Sequence, residues 1–223
     1  MGQKVCPTGL RIGITENWRS RWFATKKQFG TFVVEDEKIR QYIKRNYYFA
    51  GVPKIEIERT REQVTLMIHS ARPGLLIGRK GVEVERLKAD LEHLTGRTID
   101  VSVIEVPRPE LSAQLVAENV AQQLERRSSF RQVLKKAADM TMDSGANGIH
   151  IGISGRLGGS EMARKVDTVR GSIPLNTLIA RVDYGLAVAN TKYGTIGVKV
   201  WINKGLIPPG TRMPQEPQNA PDA

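Results

Sequence analysis

Arg72–Leu91 reads RPGLLIGRKGVEVERLKADL, and its two halves obey different rules. In the first, Gly78 and Gly81 bracket two positive residues, Arg79 and Lys80. In the second, Val84, Leu87 and Leu91, continued by Leu94, recur at the spacing of one helical face. Gly96 is a natural stop for that helix, and Pro73-Gly74 opens a short helical turn ahead of the loop. Without side chains at positions 78 and 81, a ligand backbone can come close to the main chain. Amides at the start of a helix favour phosphate, and Arg79 and Lys80 add positive charge. Leu75, Leu76 and Ile77 read either as the floor of a groove or as core.

Upstream, KIEIER (54–59) and QVTLMIHS (63–70) alternate apolar and polar residues as strands do. The short gap Thr60–Glu62 predicts a hairpin between them. Asp36 can cap a helix running to about Ala50, with Ile39, Tyr42, Ile43 and Tyr47 on one stripe. Gly51 ends it and Pro53 prevents its return. Downstream, Ile99, Val101 and Val103 alternate with polar residues in a further strand. The order is helix, strand, strand, short helix, GxxG, helix, strand.

The prolines of PRPE (107–110) mark a boundary. Beyond them, Ala113, Val116, Ala117, Val120 and Leu124 form one helical stripe. Ser128 or Ser129 caps a second helix carrying Phe130, Val133, Leu134 and Ala137, closed by Gly145. GIHIGISG, ARKVDTVRG, RVDYGLAVAN and GTIGVKVWI then read as strands, the last two joined across Thr191–Tyr193. The first thirty residues are basic and irregular, with Arg11, Arg19, Arg21, Lys26 and Lys27 among Trp18, Trp22 and Phe23. They form an arm that packs its aromatics on the body or also touches phosphates. From Ile207 the proline-rich, apolar-poor composition predicts a disordered tail.

Lys plus Arg number 34 against 23 Asp plus Glu in 223 residues, a formal charge of +11 that favours a polyanionic partner. Apolar residues at 40% suffice for a core. No apolar run approaches membrane-spanning length, no signal-peptide pattern opens the chain, and Cys6 stands where a myristoylation signal needs Ser or Thr. One cysteine fits a reducing cytoplasm. Three histidines and that cysteine are too few and wrongly spaced for zinc. GxSxG, HExxH and a Walker A lysine are missing, and Gly152, Gly155 and Gly158 do not have dinucleotide-fingerprint spacing. No catalytic residue, metal, cofactor or small-molecule substrate is expected.

A GxxG loop set after a hairpin and before an amphipathic helix resembles the backbone clamp of a type-two KH domain. The resemblance extends further. MGQKVCPTGLRIGI (1–14), ARPGLLIGRKG (71–81), QLERRSSFRQVLKKA (123–137), SGRLGGSEMAR (154–164) and YGTIGVKVWI (193–202) are similar, in that order, to the bacterial small-subunit ribosomal protein three family. The family usually has histidine at the place of Cys6 and often a basic residue at that of Gln132. The resemblance implies an α+β chain: a basic arm over 1–30, a type-two KH domain over 31–106, a C-terminal α+β domain over 107–206 with two helices packed on a mainly antiparallel sheet, and the tail over 207–223. It implies a non-enzymatic, cytoplasmic constituent of the small-subunit head. Its partners would be small-subunit rRNA, mRNA in the channel where it enters, and neighbouring head proteins, with no membrane. The RNA-binding residues would be Gly78, Arg79, Lys80 and Gly81; Arg126, Arg127, Arg131, Lys135 and Lys136, near incoming mRNA; and Arg156, Arg164 and Lys165, with Arg170, at rRNA. The glycines around Arg156 read either as a phosphate cradle or as a tight turn.

Overall fold

A computed structural model describes residues 4–60 and 63–207. The chain divides into two compact units, 18–109 and the pair of segments up to 17 and from 110 onward. The basic N-terminal stretch is therefore shared between them. Arg61 and Glu62, within the gap expected to form a hairpin, and residues 208–223 of the expected tail lie outside the described residues.

In the unit 18–109, a four-stranded sheet runs in the order β1 (Ser20–Arg21), β2 (Lys54–Arg59), β3 (Gln63–Ser70), β4 (Thr98–Glu105). β2 and β3 pair antiparallel, with Ile57 opposite Leu66, as the hairpin reading requires. β3 and β4 pair parallel, with Leu66 opposite Val101, because α3 (Pro73–Ile77) and α4 (Val82–Thr95) intervene. Ile57, Leu66, Ile68 and Ile99 from the strands close on Leu76, Leu87 and Leu91 from these helices. Gly96 ends α4 in the left-handed conformation, its N–H donating to the Glu92 carbonyl, and Leu94 remains exposed.

The helix expected from Asp36 begins ten residues earlier: α2 spans Lys26–Asn46, with a 3-10 turn over Tyr48–Ala50 and left-handed Gly51 after it. Thr25-Lys26-Lys27-Gln28 has the spacing of a capping box, and the Thr25 hydroxyl bonds the Gln28 side chain at 3.2 Å. Trp22 packs its ring against Phe29 and Phe32, giving the first turns an apolar partner. Asp36 is thus a mid-helix residue, and it is buried. Ile39 and Ile43 face the core as their spacing predicts. Glu56 departs from the alternation of β2: it is buried, ion-paired with Lys54 and Arg21, and His69 stands 3.6 Å away.

The second unit carries a four-stranded antiparallel sheet in the order β6 (Arg164–Gly171), β5 (Gly148–Gly155), β8 (Gly194–Leu206), β7 (Ala180–Thr191). α5 (Ala113–Glu125) and α6 (Phe130–Asp143) pack on it. Val116, Val120, Leu124, Val133 and Leu134 close on Ile149, Ile151, Ile153, Val198 and Val200. Gly185 lets α5 approach β7, since a side chain there would strike the Ala113 carbonyl. Asp183 accepts the Ala113 N–H at 3.1 Å, satisfying a donor that the start of α5 leaves open. In α6 the deepest residues are Val133, Leu134, Ala138 and Thr141, whereas Phe130 and Ala137 are only partly buried.

Candidate nucleic-acid interface

The loop between α3 and α4 is a 3-10 turn over Arg79–Gly81. Gly78 has φ +69° and Gly81 φ +81°. The glycines serve the turn itself. A Cβ on Gly78 would run into the Glu83 side chain, whereas Gly81 faces open space and needs only the left-handed backbone. Glu83 and Glu85 occupy the first turn of α4, so their charges complement the helix terminus that the sequence reading gave to phosphate. The positive potential of the loop comes from Arg79 and Lys80, both exposed. The alternatives for the neighbouring apolar residues divide: Leu76 is core, while Leu75, Ile77 and Val82 are exposed beside the loop.

The junction of α5 and α6 is the second basic element. The Ser128 N–H donates to the Gln123 carbonyl and the Arg127 N–H to the Leu124 carbonyl, the two bonds of a Schellman motif. Glycine is the usual residue at the left-handed position of that motif, but here it is Arg127, at φ +61°. Lys80 at φ +57° is the other non-glycine residue with positive φ among those described. Such a backbone costs an L-residue roughly 1–2 kcal/mol. Both sites of this strain carry a positive side chain within a basic motif.

Ion pairing sorts the remaining basic candidates. Arg126, Arg127, Arg131, Lys135, Lys136 and Arg164 are exposed, and among the described residues none has a salt bridge. No acidic residue occurs between 126 and 138. Asp139, one turn beyond Lys135, pairs with Arg170 at 3.1 Å instead. Arg131 and Lys135 share one side of α6, and Val133 and Leu134 anchor the other. Lys165 by contrast pairs with Asp167 at 2.8 Å. Arg156 donates from Nε to the Ser160 carbonyl and from Nη1 to the Tyr193 carbonyl, at 2.9 and 3.0 Å, and lies over the Tyr193 ring. A side chain at Gly155 or Gly159 would meet the β7–β8 hairpin. The Gly155–Gly159 stretch therefore has a turn's reason for its glycines, and Arg156 braces that turn.

Two polar constellations were missed by sequence reasoning. Arg11 is fully buried at the end of α1 (Pro7–Arg11), where its guanidinium donates to the carbonyls of Pro7, Pro174, Leu175, Thr177 and Ala180 at 2.7–3.2 Å. It is closed to phosphate, and nothing local in the sequence sets it apart from Arg19 or Arg21. The other is Asp36, whose Oδ2 accepts from Ser20 Oγ and Trp22 Nε1, both at 2.9 Å, and whose Oδ1 accepts from Arg59. Of the arm's aromatics Trp22 packs inward, while Trp18 and Phe23 are exposed.

Among the described residues no helix is long and apolar enough to cross a membrane. A KH-domain family model matches residues 38–111, and the model for the ribosomal protein S3 C-terminal domain matches 120–202. Similar proteins include small ribosomal subunit protein uS3 of Rhodopirellula baltica, 54% identical over 210 residues, covering 92% of this chain and 89% of the relative. That of Syntrophomonas wolfei is 51% identical over 219 residues, covering 98% and 96%. That of Caldanaerobacter subterraneus subsp. tengcongensis is 53% identical over 209 residues, covering 94% and 95%.

Proposed function

The chain belongs to the family of small ribosomal subunit protein uS3, and we propose that, as a non-enzymatic constituent of the subunit head that binds rRNA, it also lines the channel where mRNA enters and grips the incoming strand. Residues 31–106 act as the KH domain and 107–206 as the domain that meets mRNA. The grip lies at the α5–α6 junction. The observation that carries it is the set of unpaired cations there: Arg126, Arg127, Arg131, Lys135 and Lys136, with no acidic residue from 126 to 138. Like charges gathered without counter-charges repel one another, and a polyanion removes that repulsion. A single strand in a basic groove is held mainly through phosphate and without sequence preference, as a surface that meets every message requires. The loop Gly78–Gly81, with Arg79 and Lys80 exposed, is assigned to RNA, while Arg164 and Lys165 border the second site and Arg156 contributes through the turn it braces.

Opening a message hairpin costs about 1.4 kcal/mol per base-pair step, by analogy with duplex stacking. Two or three surface charges cannot supply that. They hold the phosphates of a strand already drawn inward and so discourage re-annealing. Ribosomes carrying Arg131→Ala and Lys135→Ala together should assemble normally, since neither residue is in the core. They should slow more on a message with a stable hairpin than on an unstructured one. Equal slowing on both messages would assign the cluster to rRNA support and reject the grip.

A further inference from the structure

Arg164 opens β6 and lies 33 positions from Arg131. In the fold both guanidinium groups lie over one ring: the Arg164 carbon stands 5.5 Å, and that of Arg131 5.8 Å, from the centroid of Phe130. The two charges are therefore at most about 11 Å apart. Among the described residues neither has a salt bridge or a hydrogen bond, and both are exposed. α6 and β6 adjoin, and the Arg170–Asp139 pair ties them further along. The half-buried Phe130 ring attracts each cation, which offsets part of their mutual repulsion. Phe130 thus gives two like charges from different elements one shared contact. A solvated arginine needs no such platform; a ligand with two neighbouring negative groups does.

We infer that Phe130, Arg131 and Arg164 form one composite site for the sugar–phosphate backbone of single-stranded RNA. The two guanidinium groups engage neighbouring phosphates, and Phe130 is the positioning residue for both. This rests on the reading that the α5–α6 junction grips mRNA, and it extends that grip across to β6, making Arg164 a member of the mRNA-holding surface and not only its border.

The test uses the full-length chain and a labelled oligouridine, with affinity followed against salt. Each phosphate contact on a single strand contributes about 0.7 to the slope of log affinity against log salt, so losing one costs about fivefold at 0.1 M salt. Arg131→Ala and Arg164→Ala should each show that loss and that flatter slope. Together they should lose less than the roughly 25-fold product, because the second arginine works poorly once the first is gone. Phe130→Leu keeps the apolar packing and every charge, yet should reproduce part of the loss; Phe130→Tyr, which restores a ring, should recover it. In ribosomes, Arg164→Ala should slow a hairpin-bearing message more than an unstructured one.

If Arg164→Ala leaves affinity and slope unchanged while Arg131→Ala weakens binding, the composite site is wrong and the grip survives. Losses that multiply in full, with Phe130→Leu silent, would mean two independent contacts and also overturn it. If Arg131→Ala with Lys135→Ala shows no preferential effect on hairpins, the grip falls and this inference with it.

Discussion

Asp36, in the middle of α2, accepts two hydrogen bonds from Arg59 on β2, from Nε at 2.8 Å and Nη2 at 2.5 Å, both on the same carboxylate oxygen. Both side chains are almost wholly removed from water, at 3% and 2% exposure. Arg59 also bonds Glu35 at 2.6 Å and lies over the Phe32 ring. A buried pair adds little net stability over an apolar one, but removing one partner strands the other. Asp36→Ala is expected to cost about 3–5 kcal/mol, read as a drop in urea midpoint at unchanged slope. Ser20 and Trp22 lose their acceptor as well, so Trp22 fluorescence should report the first half of α2 loosening. A cost below about 1 kcal/mol would mean that Arg59 finds water or Glu35 enough.

Glu56 gives the N-terminal unit an acid dependence. Burial pushes its carboxyl up, but His69 and Lys54 outweigh burial and hold it at about 2, against an ordinary 4.5. A carboxyl whose folded value lies below its unfolded value stabilises fully above the unfolded value. That contribution is lost as pH falls through the folded one. The window is therefore from about pH 4.5 down to about pH 2, and the amount is about 3 kcal/mol. Other carboxylates titrate there too, so the comparison is with Glu56→Gln. The stability advantage of the unsubstituted chain should shrink across that window. Parallel stability curves down to pH 2 would show that Glu56 is not held in this way.

Lys80 and Arg127 both hold a left-handed backbone that glycine adopts freely. Lys80→Gly and Arg127→Gly are each expected to leave stability unchanged or raise it by up to about 1 kcal/mol, the relieved strain offset in part by a freer unfolded chain. Each should weaken RNA binding and flatten its salt dependence by about 0.7, one phosphate contact. Thermal melts and salt-dependent anisotropy on the same samples separate the two effects. A variant that loses stability without losing affinity would show the side chain to be structural.

The elements that sequence reasoning placed well are those governed by local pattern. The β2–β3 hairpin, α4 with Gly96 behind it, and the β7–β8 pair follow from period-two or helical spacing and a turn residue. What it misplaced depends on partners distant in the chain. Asp36 resembles a cap until Arg59, 23 residues on, draws it inward. Arg11 resembles a phosphate ligand until five carbonyls, four of them beyond residue 170, enclose it. The candidate site shows the same division. The GxxG loop and the run from Arg126 to Lys136 are contiguous and legible. The meeting of Arg164 with Phe130, the withdrawal of Arg156 into its turn and the pairing of Lys165 arise only when strands and helices come together.

Arg170 illustrates an effect at a distance on the grip. It sits on β6 and pairs with Asp139, which lies four residues after Lys135 and three after Lys136 on α6. Residues at those separations are neighbours on a helix, so without Arg170 the Asp139 carboxylate is free to turn towards either lysine. Arg170→Ala should therefore weaken RNA binding without Arg170 touching RNA, by up to the roughly fivefold at 0.1 M salt that one phosphate contact is worth. Loss of a direct contact would look the same in a single variant, and the Asp139→Asn background separates the two. There the neutral amide has no charge with which to compete for Lys135, so Arg170→Ala should make little further difference. Asp139→Asn alone should bind as well as the unsubstituted chain or better, since it removes an acidic group one helical turn from Lys135 and Lys136. An equal loss from Arg170→Ala in both backgrounds would make Arg170 a phosphate contact in its own right, and Asp139 a bystander.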